Sequence, residues 1–126
     1  MGNAVCRARE GTTGAVVAER LRLAHTHWTR LKGLLGTRTL PEGDGLWLKP
    51  CRQVHMIGMR YAIDVVFLDD EQRILQVVAD LAPGRISPKV SAATSVLELP
   101  AGTVCRLGIG PGGRIDIERV PSGGVA

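Results

Sequence analysis

The run Cys51-Arg52-Gln53-Val54-His55-Met56-Ile57-Gly58-Met59 places a thiol, an imidazole and a thioether at successive spacings of four. These are ligand types that favour soft metal ions. On a helix that spacing stacks all three on one face. Gly58 and apolar flanks that read as strands make a helix a poor fit here. In an extended chain residues 51, 55 and 59 still share a face, but they span roughly 27 Å at ~3.4 Å per residue. A single ion then requires a sharp bend at Gly58 and a further ligand such as Cys105 from another strand. Cys51, His55 and Cys105 are thus weak metal candidates. The simpler reading is a packed Cys, a hydrogen-bonded His and a core Met, and no cofactor is expected.

A second constellation pairs His55 with Asp64. Asp64 lies between Ile63 and Val65 in an apolar run, where an unpaired carboxylate is costly. Its expected partners are His55, Arg60, Arg52 or backbone N–H groups of the turn near Gly58. A His–Asp pair orients an imidazole as a general base, with Cys51 or Cys105 available as nucleophile. The simpler reading makes Asp64 a structural staple of the 55–64 loop. No Gly-x-Ser-x-Gly elbow supports an enzyme. Gly108-Ile109-Gly110-Pro111-Gly112-Gly113 superficially resembles a phosphate loop, but such loops feed a helix N-terminus. Here Arg114 to Glu118 alternates like a strand, so the glycines read as a turn. The cations Arg30, Lys32, Arg38, Arg52 and Arg60 suit a carboxylate or phosphate, with a solvated surface as the simpler reading.

The elements that position these groups are mostly strands. Val16 to His25 alternates in part, Gly45 to Lys49 is a short strand, and Ile63 to Leu68 is apolar on both faces apart from Asp64. Arg73 to Asp80 follows a polar loop and completes a hairpin over 63–80. Ser95 to Leu99, Val104 to Ile109 and Arg114 to Glu118 read as further strands, with Leu99 to Gly102 as a turn. One helix is expected at about residues 27–35, capped by Thr26, carrying Leu31, Leu34 and Leu35 on one face, and ended by Gly36. It is too short to be stable without packing on a sheet. Many short strands broken by Gly and Pro turns predict a mainly β, compact antiparallel β-sandwich or distorted barrel.

The chain has 126 residues, 44% hydrophobic and 22% charged. That predicts one domain over 1–126, with a core at about 15–119 and a flexible tail at 120–126. Only Trp28, Trp47, Tyr61 and Phe67 are aromatic, so Leu, Val, Ile and Ala must build the core. The net charge of +4 is uneven, since residues 1–63 carry ten of the sixteen basic and four of the twelve acidic side chains. The cations are scattered and stacking aromatics are scarce, so nucleic acid is an unlikely partner. No apolar run approaches the ~20 residues of a membrane span. Three cysteines suit free thiols in a reducing, cytoplasmic setting.

Five segments in order carry a family resemblance: Arg30-Leu31-Lys32-Gly33-Leu34-Leu35-Gly36, Gly45-Leu46-Trp47-Leu48, Val54-His55-Met56-Ile57-Gly58-Met59, Ile63-Asp64-Val65-Val66-Phe67-Leu68, and Val96-Leu97-Glu98-Leu99-Pro100-Ala101-Gly102. Over about residues 18–118 the chain resembles the domain-of-unknown-function 192 family (uncharacterised protein family 0127). The resemblance implies a compact sandwich-like β fold with a short helix and no established activity. It maps the family's Met-containing motif onto Gly58-Met59 and its Asp onto Asp64. Some relatives carry an export or lipoprotein signal; Met1 to Gly14 has no apolar h-region, so none is expected here. Where the family often has Gly-Asp near its end, this chain has Gly112-Gly113, which weakens any role for a carboxylate there.

The leading expectation is a non-enzymatic ligand-binding or accessory module. A pocket near Trp47, Arg52, His55, Met59, Arg60 and Asp64 would hold a small molecule or peptide. The alternatives are a hydrolase or metal-dependent enzyme centred on His55 and Asp64, and a structural component of a secretion or pilus assembly.

Overall fold

The computed structural model describes residues 5–26 and 33–120. Its strands are β1 (Val5–Glu10), β2 (Val16–Ala24), β3 (Asp44–Leu48), β4 (Ile63–Leu68), β5 (Ile74–Leu81), β6 (Ser95–Pro100) and β7 (Ile115–Arg119), with a short helix α1 (Thr103–Leu107) between β6 and β7. Among the described residues they form one sheet in the order β5-β4-β6-β3-β2-β1-β7. The mainly β expectation holds, and the form is a single curled half-barrel. All neighbouring strands are antiparallel except β2 and β3, which run parallel.

The curl brings the two outermost strands together at their starts. The Ile74 N–H donates to the Gly113 carbonyl (2.8 Å), the Gly112 N–H to Ile74 (2.9 Å) and the Ile115 N–H to Gln72 (3.0 Å).

Side chains alternate across a strand, and here both faces are buried. Trp47, Val66, Leu68, Leu97 and Leu99 point into one core with Leu21 and Ile115. Leu46, Leu48, Val65, Phe67 and Val96 point into a second core with Val54, Met56 and Leu81. Every position of β4 is buried, as its continuous apolar run requires. The second face is roofed by residues 50–62 and 82–94, laced to each other through the backbone. Met56 N–H donates to Arg85 (2.7 Å), Ser87 N–H to Val54 (2.8 Å), and Val90 N–H to Arg52 (2.9 Å). Residues 51–56 are therefore extended, and no helix stacks Cys51 on His55.

Two readings change, and a third lies largely outside the described residues. The helix expected at 27–35 falls largely on residues 27–32, which lie outside the described residues; residues 33–36 form a turn that buries Leu34. The strand expected at Val104–Ile109 begins instead as helix α1. Its Val104 and Leu107 are three apart, and Gly108 closes it in the left-handed conformation at φ 66°, as helix ends favour. A strand expected nowhere in the sequence, β1, joins the sheet ahead of residue 15. It buries the small Cys6 and Ala8, which carry little hydrophobic signal. The expected tail beyond Val120 lies outside the described residues. Among those residues, no helix is long and apolar enough to cross a membrane.

Candidate functional site

Strand β6 lies between β3 and β4, and its Glu98 is paired in register with Leu46 on one side and Val65 on the other. Alternation puts Glu98 on the face of Val96, towards the second core. The residue is 6% exposed. Among the described residues its carboxyl has no hydrogen-bond or ion-pair partner, and desolvation is the one cause that moves its acidity. Burial pushes that carboxyl up to about 7, because a low-polarity setting disfavours the charged form. Near neutral pH the group is divided between acid and anion.

Glu98 is reached through a groove of about 230 Å³ under the 50–62 segment. Leu48, Val54 and Met56 form its apolar walls, Leu34 and Met59 close one side, and Cys51, Gln53 and His55 supply the remaining polar groups. The roof is held tightly. The turn at 56–59 is closed by the Met59 N–H donating to Met56 (3.1 Å). Gly58 takes φ +84°, and a Cβ there would stand 2.9 Å from Leu35 Cδ1, so this turn and the 33–36 turn meet at a glycine. Thr37 Oγ1 donates to the Leu34 carbonyl and lies 2.6 Å from the Tyr61 hydroxyl, which pins the 33–36 turn. At the rim, His55 is exposed and its backbone bridges to Ile86. Leu35 and Ile57, 43% and 59% exposed, also stand at this rim.

Of the expected site residues, the structure brings His55 and Met59 together in one groove, joined by the metal candidate Cys51. Cys51 Sγ donates to the Gln53 carbonyl at 3.3 Å. Trp47 does not line the groove. It points into the opposite core with Lys49 Nζ 5.2 Å from its ring centre. Arg52 is exposed and donates to the Ala93 carbonyl at 3.2 Å, and Arg60 is exposed. Cys105 is exposed on α1 and does not line the groove. Among the described residues no three His, Cys, Asp or Glu side chains form a metal-ligand set.

Asp64 is not the partner of His55, nor of Arg52, Arg60 or the Gly58 turn. It is 0% exposed, and its two oxygens accept from the Asp80 N–H and the Val104 N–H, both at 2.8 Å. Asp64 alternates with Val65 and so faces away from the groove. Its carboxylate joins the end of β5 to the first turn of α1, satisfying a donor that a helix N-terminus otherwise leaves open. Asp64 is a structural staple, but of the end of β5 and the start of α1 rather than of the 55–64 loop. Glu98 is the group that sequence reasoning missed. The signal was available, since Glu98 interrupts the apolar run Val96 to Leu99 just as Asp64 interrupts its own.

The family model for domain of unknown function 192, described as "Uncharacterized ACR", matches residues 8–117. A "UPF0127 protein" from Thermococcus sibiricus is 28% identical over 112 residues, covering 85% of this chain and 71% of that protein. A protein of unknown function from Novosphingobium aromaticivorans superposes with a TM-score of 0.76 at 26% identity, over 89% of this chain and 83% of its own. A Sinorhizobium meliloti protein, put forward as a transcription regulator, superposes with a TM-score of 0.79 at 25% identity, over 92% of this chain and 95% of its own.

Proposed function

The chain belongs to the domain-of-unknown-function 192 family, and from that premise we propose that it is a non-enzymatic binding or accessory module whose groove over Glu98 holds a small, largely apolar ligand or a peptide side chain. The observation that carries this reading is an unpartnered carboxyl at the base of an apolar groove. Buried ionisable groups without partners are costly and concentrate at functional sites. The groove is smaller than the ~300–1,000 Å³ of drug-sized sites, which points to a compact occupant.

A hydrolase centred on His55 and Asp64 draws no support from this arrangement, because Asp64 is spent on two backbone donors on the opposite face. The description of the Sinorhizobium relative brings no nucleic-acid reading here. Several arginines are paired with acids on the surface, as in Arg7–Glu19, Arg20–Asp44 and Arg114–Asp116, which breaks up any basic stripe. No disulfide joins Cys6, Cys51 and Cys105, which supports a reducing, cytoplasmic setting.

The reading is tested by titrating short-chain alcohols such as 1-pentanol into the isotopically labelled protein and following backbone amide shifts. Saturable shifts confined to Leu48, Val54, Met56 and their neighbours are expected. Shifts centred on Val66 and Leu97 in the opposite core, or no saturable shift, would sink it.

A further inference from the structure

Resting on that reading, we infer that the groove selects an ammonium group carried on a short alkyl stem, with the Glu98 carboxylate as its counter-ion. Two independent observations converge. The walls are hydrocarbon and thioether, from Leu48, Val54, Met56 and Met59, and neither Lys nor Arg lines the groove among the described residues. At its base sits a side chain 6% exposed, with no cation or hydrogen-bond donor directed at it among the described residues.

A carboxylate offers only acceptor sites, and an ammonium offers only donors. Bringing the two together removes the cost of an unpaired buried charge, and the alkyl stem covers the apolar walls. An anionic ligand would meet like charge at the base. A neutral alcohol would use the walls and leave the charge uncompensated.

Among the described residues the ionisable groups facing this space are few. His55 and Cys51 come from the 50–62 segment, while β3 and β4 present Leu48, Leu46 and Val65 beside Glu98. Because burial holds the Glu98 carboxyl near 7, the anion that receives the ammonium forms as pH rises through that value. An alkylamine stays protonated throughout, with a pKa of about 10.4 for a lysine-like group. Amine affinity should therefore climb by roughly tenfold or more between pH 5.5 and 8.5, while alcohol affinity stays flat.

The same chemistry has two sources: a free small alkylamine, or a lysine side chain of a peptide lying across the exposed rim of Leu35 and Ile57. The experiment compares 1-aminopentane, 1-pentanol and pentanoate by amide shift titration on the intact chain. A fourth arm uses a short peptide with one lysine flanked by leucines. The amine should bind at least tenfold tighter than the alcohol at pH 8.5, and pentanoate should bind weakest. The Glu98→Gln variant should lose both that preference and its pH dependence while still binding the alcohol. A peptide tighter than 1-aminopentane assigns the lysine source, and the reverse order assigns the small amine; either supports the ammonium. Equal binding of amine and alcohol to the native chain, or an amine preference surviving in Glu98→Gln, overturns the inference and leaves the groove reading standing. Failure of all four probes to give saturable shifts removes both.

Discussion

Asp64 and Glu98 sit on adjacent strands of one sheet, one position apart in register, and almost nothing else about them is alike. Asp64 pairs with Leu99 and Glu98 with Val65 across the β4–β6 ladder. Each carboxylate interrupts an apolar run, and each is buried. Asp64 faces the inside of the curl and spends both oxygens on backbone donors from residues 80 and 104. Glu98 faces the other way, over a groove, with no partner among the described residues. The difference separates a buried acid that builds the fold from one that the fold tolerates. Hydrogen bonds to the charged form make the first an asset, and their absence makes the second a cost that a ligand can relieve.

The sharpest way to break the comparison is to truncate both acids. Asp64→Ala leaves one buried and one part-buried N–H group unpaired. It should cost roughly 3 kcal/mol, taking ~1.5–3 kcal/mol per hydrogen bond to a charged acceptor and the lower end for the part-buried one. Asp64→Asn keeps one acceptor oxygen and should fall between. Denaturant midpoints measure both, and a loss below that of an ordinary surface substitution would contradict the staple.

Glu98→Gln should act in the opposite direction and depend on pH. Burial raises the carboxyl from its ordinary 4.5 to about 7, so the folded chain keeps a proton that the unfolded chain has already released. Stability from this group is full below about pH 4.5, falls as pH rises, and levels off above 7. The window corresponds to about 3 kcal/mol. Relative to the native chain, Glu98→Gln should therefore be more stable at pH 8 than at pH 5 by an amount of that order. Equal differences at the two pH values would show that Glu98 has a partner in solution.

Two smaller effects separate the roof of the groove from its rim. Gly58→Ala meets both an unfavourable positive φ and the Leu35 methyl at 2.9 Å, and should cost roughly 1–2 kcal/mol. His55→Ala removes an exposed side chain whose residue is tied in through its backbone, so stability should change by less than about 0.5 kcal/mol. A large loss on His55→Ala would mean that the imbalance between the two faces is not confined to the acids.

How much of this was written in the sequence follows from the range of the forces involved. Strands β2 to β6 have apolar periods that any local reading finds, and the 63–80 hairpin needs only neighbours in the chain. Asp64 announced itself because a lone charge in an apolar run must be satisfied. Its partners did not, because the Val104 N–H lies 40 residues away and belongs to a helix of one turn. The same distance explains why Val104 to Ile109 read as a strand. Thr103 and Val104 are β-branched and favour extended chain, and the acceptor that steadies their helical turn comes from β4. Glu98 was legible by the rule applied to Asp64. Its setting was not, because the groove exists only once residues 50–62 are folded over β6. Trp47 joined the expected pocket by position in the chain, yet alternation sends it to the opposite core from Leu46 and Leu48.

Where Gln72 to Ile74 meets Gly112 to Ile115, the outermost strands satisfy each other's backbone. An open sheet exposes rows of unpaired amides on which neighbouring molecules add strands, and closure is the surest way to withdraw them. Here that protection is local. Beyond the seam, β7 presents Asp116, Glu118 and Arg119 to solvent, charges that discourage strand addition. Strand addition at this edge is thus opposed by a few turn residues and by this charged strand.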